Sequence, residues 1–195
     1  LSMKVKKVKK PIDNVIINNI IKYMFFLIKS DIWVKSHHYI MNNYFIILAS
    51  GQSKRFNSNQ LKQYIIYKNK PLFEHSIEKA LASKLFKKII LVVNNKKQIN
   101  KKYSKNVVII KGGKERSDSS LIGLKYIKKF KPSNIFIHDA ARPNFSLQLL
   151  KNLLKSLKKN KAVVPTVNTK DSIKYKVKKQ LFNLNRDHSF STQTP

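Results

Sequence analysis

From Tyr44 onward the chain alternates between two hydrophobic rhythms. Short continuous apolar runs recur at YFIILA (44–49), KIILVV (88–93), VVII (107–110), NIFIHD (134–139) and AVVPTV (162–167). Runs of this length without polar interruption predict strands covered on both faces, as in a parallel sheet. Between them the apolar positions change to helical spacing. Leu72, Phe73, Ile77, Ala80 and Leu81 follow Pro71, a residue suited to a helix start. Leu121, Leu124, Ile127 and Lys128 predict a second helix, with Ser117 or Asp118 as its cap. Ser146 precedes Leu147, Leu150, Leu153, Leu154 and Leu157, a third helix with one apolar face. The alternation reads as an α/β domain with a largely parallel sheet. IKYKV (173–177) and LFNLN (181–185) flank a Lys-Lys-Gln turn and predict a protruding hairpin.

Residues 1–43 break this pattern. A basic leader, LSMKVKKVKK, precedes apolar residues interrupted by Asn14, Asn18, Asn19 and Lys22. The cleanest apolar stretch, Tyr23–Ile28, is too short to span a bilayer. We expect a poorly ordered extension here, with the natural start near Met41. The absence of Cys excludes disulfides and thiolate metal sites and fits a reducing cytoplasm.

The formal charge of +32 invites a nucleic-acid reading, but composition weakens it. Of 41 basic residues four are Arg and 37 are Lys, spread along the whole chain. Lys, Asn and Ile share A/T-rich codons, so base composition accounts for much of the excess as solvated surface. In such a chain the four Arg (Arg55, Arg116, Arg142, Arg186) mark positions where a planar donor is needed. The four Gly (Gly51, Gly112, Gly113, Gly123) mark places where the backbone demands them.

In open parallel sheets ligands bind beyond the carboxyl ends of the strands. Three segments fall there: Gly51 to Lys62, Gly112 to Ser119, and His138 to Pro143. In the first, Gly51 allows close backbone approach. Arg55 and Lys62 are two cations that can clamp a polyphosphate, or else two solvated charges on a surface turn. Asp139, one of only nine carboxylates, stands at a strand end where it can hold Mg²⁺ or cap a turn. Arg142 shares that loop. His138 has no second His at ligand spacing and no Cys beside it, so zinc is rejected in favour of a hydrogen-bonded packing residue.

The ordered set LASGQSKRF, LKQY, GGKERSDSSLIGL, HDAARP, KDSIK and NRDHSFSTQTP, from about Tyr44 to Pro195, resembles the 2-C-methyl-D-erythritol 4-phosphate cytidylyltransferases. The resemblance implies a Rossmann-like three-layer nucleotidyltransferase fold with a mostly parallel sheet and a β-hairpin arm at about 170–190. It implies transfer of CMP from CTP to the sugar-alcohol phosphate with Mg²⁺, in a cytoplasmic homodimer joined through the arm, with no specific nucleic acid and no membrane as partners. Carried over by position, Arg55 and Lys62 are catalytic. Ala49, Gly51, Gly113 and Ser119 bind the nucleotide, the last two at the cytosine. Asp139 holds the metal, and Arg142, Ser172, Arg186 and Thr194 meet the substrate phosphate. Ser53, Leu61 and Ser172 depart from the family's usual Gly, Pro and Thr. The chain ends at Pro195, before a late family segment carrying an Asp and a Lys, so we expect a fragment whose activity alone is open. Other readings remain: a cytidylyltransferase for ribitol 5-phosphate or another polyol phosphate, a basic anion- or RNA-binding protein, or an inactive fragment.

Overall fold

In the computed structural model, the described residues are 4–7, 42–52, 60–99, 103 and 107–192. They fall into two compact units, Pro11–Phe145 and a second made of Leu1–Lys10 with Ser146–Pro195. Each is described by itself.

The first unit is built on four strands: β1 (Asn43–Ala49), β2 (Lys88–Val93), β3 (Val107–Lys111) and β4 (Asn134–Asp139). Their order is β3-β2-β1-β4, and all three pairings are parallel. Every residue of β1 is buried, as its unbroken apolar run predicts for a central strand. Two helices cover the sheet, α1 (Leu72–Ala82) and α2 (Arg116–Lys128). On one face Tyr44, Ile46 and Leu48 of β1 pack with Ile90, Val92 and Ile110, and with Leu124 and Ile127 of α2. A Cβ on Gly123 would lie 3.0 Å from Ile46 Cγ2, so Gly at this position lets α2 approach β1 closely. On the other face Phe45 meets Phe86, Phe136, His138 and Phe145. There Ser76 of α1 bonds His138.

One helix start of the three differs from the sequence expectation. α2 is capped by neither Ser117 nor Asp118. Glu115 is its N-cap, and Asp118 reaches back from the third helical position to the Glu115 N–H in a reciprocal box. A Glu cap carries little sequence signal, because Ser, Thr, Asp and Asn dominate that position. A short ribbon, Ile66–Tyr67 paired with Lys70–Pro71, also went unforeseen. Its turn residues Lys68 and Asn69 both have positive φ, of 47° and 62°, where Gly is the usual signal.

The second unit contains α3 (Leu147–Leu157), β5 (Val163–Asn168), β6 (Lys174–Val177), β7 (Gln180–Asn183) and β8 (Phe190–Thr192). Ser146 caps α3 as expected, its hydroxyl accepting the Leu149 N–H at 3.1 Å. β5 pairs antiparallel with β8 and with a strand at Lys4–Lys7, so AVVPTV is not the fifth parallel strand that its apolar run predicted; an apolar run reports burial, not the direction of the partner strand. Of the expected 1–43 extension, the structure describes that strand, Asn42 and the first residue of β1; the rest lies outside the described residues. β6 and β7 form the predicted hairpin, but its turn is the two residues Lys178-Lys179, with Gln180 already paired to Val177.

Candidate active site at the carboxyl edge of the sheet

The register of the parallel strands sets the site. Ala49 pairs with Val93, Val93 with Lys111, and Leu48 with Asp139. The loops that leave β1, β3 and β4 therefore start from one edge, as the sequence predicted.

At β1, the side chain of Gln63 is buried and donates to the carbonyls of Ala49 and Gly51, both at 2.8 Å. This ties the short 3₁₀ turn Lys62–Tyr64 to the strand end and holds Lys62, which is exposed, beside it. Among the described residues, a Cβ built on Gly51 meets nothing within 4 Å. Arg55, the other half of the expected cation clamp, lies outside the described residues, as does Ser53.

At β3, Gly112 and Gly113 are needed for space, since no Gly in the described structure has positive φ. A Cβ on Gly112 would sit 2.7 Å from Ser50 Cβ and 2.8 Å from the hydroxyl oxygens of Ser50 and Ser119. One on Gly113 would sit 2.3 Å from Asp118 Cβ. The Gly112 N–H donates to Val93 O at 2.9 Å and the Gly113 N–H to Ser119 Oγ at 3.1 Å. Ser119 Oγ also lies 2.6 Å from Ser50 Oγ, and both residues are buried.

At β4, Arg116 Nε donates to Asp139 Oδ1 at 2.9 Å, and Arg142 Nε lies 3.9 Å from Oδ2. Two of the four scarce Arg thus flank one carboxylate that is 28% exposed. The turn is fixed by Ala140 N–H to Leu48 O and Arg142 N–H to Asp139 O, both at 3.0 Å. From α1, Lys79 Nζ donates to the carbonyls of Pro143 at 2.8 Å and Phe145 at 3.1 Å.

His138, the residue before Asp139, is fully buried. Its Nε2 is 2.9 Å from Ser76 Oγ, and its ring packs edge-on to Phe145. Nδ1 has no partner among the described residues. Burial lowers its pKa from 6.5 to about 3, with Arg142 and Lys79 adding to the effect and Asp139 opposing it. The imidazole is neutral at physiological pH, as the packing-residue reading of the sequence had it.

The remaining predicted residues belong to the second unit. Ser172 is exposed before β6, Arg186 opens the 3₁₀ turn Arg186–His188, and Thr194 lies outside the described residues. Sequence reasoning missed Gln63, Ser50, Lys79 and Ser76, whose roles come only from what lies across from them. It singled out Arg116 by scarcity without giving it a partner.

Three cationic side chains and one carboxylate at a strand edge suit a polyanionic ligand. Among the described residues there is no group of three or more His, Asp or Glu able to cage a metal. One accessible carboxylate is enough for a magnesium ion that takes its other oxygens from water and from the ligand's phosphates. Asp139 therefore fits an ion that arrives with a nucleotide.

Residues 44–195 match the family described as 2-C-methyl-D-erythritol 4-phosphate cytidylyltransferase (IspD). A bifunctional enzyme IspD/IspF from Pelagibacter ubique is 51% identical over 157 residues, covering 80% of this chain and 42% of that protein. The chain thus spans less than half of that relative. A 2-C-methyl-D-erythritol 4-phosphate cytidylyltransferase from Clostridium botulinum strain Langeland is 37% identical, covering 78% of this chain and 70% of its own length. Among solved structures, a 4-diphosphocytidyl-2C-methyl-D-erythritol synthase from Anaerococcus prevotii superposes with a TM-score of 0.67 at 27% identity, over 80% of this chain and 70% of that one.

Proposed function

Because the chain belongs to the 2-C-methyl-D-erythritol 4-phosphate cytidylyltransferase family, we propose that it transfers CMP from CTP to 2-C-methyl-D-erythritol 4-phosphate and releases pyrophosphate. The observation that carries this reading is the convergence of Asp139, Arg116 and Arg142 at the sheet edge where Gln63 also fixes the Lys62 turn.

The reaction brings together two polyanions. A phosphate oxygen of the acceptor attacks the α-phosphorus of CTP, a new P–O–P bridge forms, and the bond to the β-phosphate oxygen breaks, releasing pyrophosphate. No covalent enzyme intermediate is required. The protein's contribution is positioning and preorganised positive charge. Lys62 and Arg55 would grip the triphosphate and offset charge on the α-phosphorus. Ala49 and Gly51 would line the nucleotide, with the space that the described residues leave at Gly51 admitting it. Gly113 and Ser119 would frame the cytosine. Asp139 would hold Mg²⁺ together with the triphosphate; the ion supplies further neutralisation of phosphate charge. Arg142 would draw in the acceptor phosphate.

Ser172, Arg186 and Thr194 would serve the acceptor from the arm of a second copy. The β6–β7 hairpin supports a homodimer, because Tyr175, Val177, Leu181 and Phe182 are exposed on it and Tyr175 stacks on Phe182 at 5.5 Å. Among the described residues no helix is long and apolar enough to cross a membrane, and we place the reaction in the cytoplasm.

A pyrophosphate-release assay with CTP and Mg²⁺ tests the reading. Turnover is expected with 2-C-methyl-D-erythritol 4-phosphate and little with ribitol 5-phosphate. The opposite preference would reassign the acceptor. Lys62→Ala is expected to fold normally and lose roughly 10²–10³ in rate. Retention of most of the turnover would remove Lys62 from the machinery.

A further inference from the structure

The hydroxyls of Ser50 and Ser119 share one buried contact of 2.6 Å, and Ser119 Oγ also accepts the Gly113 N–H. One hydroxyl hydrogen lies between the two oxygens, and the other must point elsewhere. An oxygen that accepts a hydrogen bond becomes a stronger donor through its own O–H. The favoured direction is therefore Gly113 N–H to Ser119 Oγ, and Ser119 O–H to Ser50 Oγ. That order leaves the free hydrogen on Ser50. Ser50 is also the more accessible of the two, 5% against 1% exposed. It follows Ala49, the last residue of β1, and precedes Gly51, where the described residues leave open space.

We infer that Ser50 is a specificity-determining residue of the nucleobase site, donating its O–H to a ring acceptor of cytosine, with Ser119 as the relay that fixes the direction of that hydrogen. The inference rests on the cytidine-nucleotide reading above. Uracil presents an N–H where cytosine presents the N3 lone pair, so a donor would face a donor. To accept that N–H Ser50 would have to use its second lone pair and turn its own hydrogen away from the base, leaving a donor on a residue only 5% exposed without its partner. Sites built around a buried hydrogen bond reject the mismatched ligand strongly for this reason.

Titration calorimetry of the 195-residue chain with CTP and with UTP, both with Mg²⁺, provides the test. The unsubstituted chain should prefer CTP. Ser50→Ala should weaken CTP binding at least about tenfold and change UTP binding less than about twofold. Ser50→Cys, with a weaker donor of similar size, should fall between, and it carries the test if Ser50→Ala fails to melt cooperatively. If Ser50→Ala leaves the CTP-to-UTP ratio unchanged, or weakens both nucleotides equally, Ser50 has no reading role and only this inference falls. If the unsubstituted chain binds neither nucleotide, the cytidine reading falls with it.

Discussion

Replacing His138 with Gln should flatten the acid limb of this protein's stability. The ring is fully buried, bonded through Nε2 to Ser76 and packed against Phe45 and Phe145, and Nδ1 has no partner among the described residues. Protonation would place a charge and an unpaired N–H among aromatic rings, which is why burial drives the pKa from 6.5 to about 3. Between those two values the unfolded chain binds a proton that the folded chain refuses, so stability falls as pH drops from 6.5 towards 3. At pH 5 the gap from 6.5 is about 1.5 units, and at 1.36 kcal/mol per unit the loss is about 2 kcal/mol. Urea unfolding followed by far-ultraviolet circular dichroism at pH 7 and pH 5 measures it. Carboxylates and the other His residues contribute to both proteins alike, so the quantity to read is the pH 7-to-5 loss in the parent minus that in His138→Gln. A difference of about 2 kcal/mol is expected. A difference below about 0.5 kcal/mol would refute the reasoning, because the ring would then be protonated in place without penalty.

Other perturbations follow from the same contacts. Gly112→Ala should cost about 1–3 kcal/mol, since its Cβ strikes both Ser50 and Ser119, and thermal denaturation reports the loss. Gly51→Ala is the paired control: it should shift stability by less than about 0.5 kcal/mol yet weaken CTP binding in calorimetry, because the space it fills is left open by the described chain. Lys84, just past the end of α1 at φ 55°, occupies a position that favours Gly; Lys84→Gly should raise stability by about 0.5–1 kcal/mol in urea unfolding. Charging the arm with Leu181→Lys should shift a dimer towards monomer in sedimentation, without changing the melting of the monomer.

The sequence by itself determined the four strands of the parallel sheet and the edge from which the candidate loops leave, but not the antiparallel pairing of β5. Continuous apolar runs such as YFIILA leave no polar face, so such a strand must be covered on both sides, and β1 is. A chain so poor in Arg and Gly also marked its own important loops. Arg116 and Arg142 do meet Asp139, and Gly112, Gly113 and Gly123 each stand where a Cβ would crowd a neighbour. Composition also hid signals. Lys at positive φ in Lys68, Lys84, Lys131 and Lys178 stands where Gly would have announced a turn, so the 66–71 ribbon was invisible and the hairpin turn was placed one residue too long. Only the tertiary structure could decide that Gln63 ties the Lys62 turn to β1, that Lys79 holds the loop after β4, or that Ser50 and Ser119 share a hydrogen. Periodicity reports which face of an element is apolar. It carries no information about which polar atom lies across from another, and that opposition, set by register and helix packing, is what turns scattered side chains into a site.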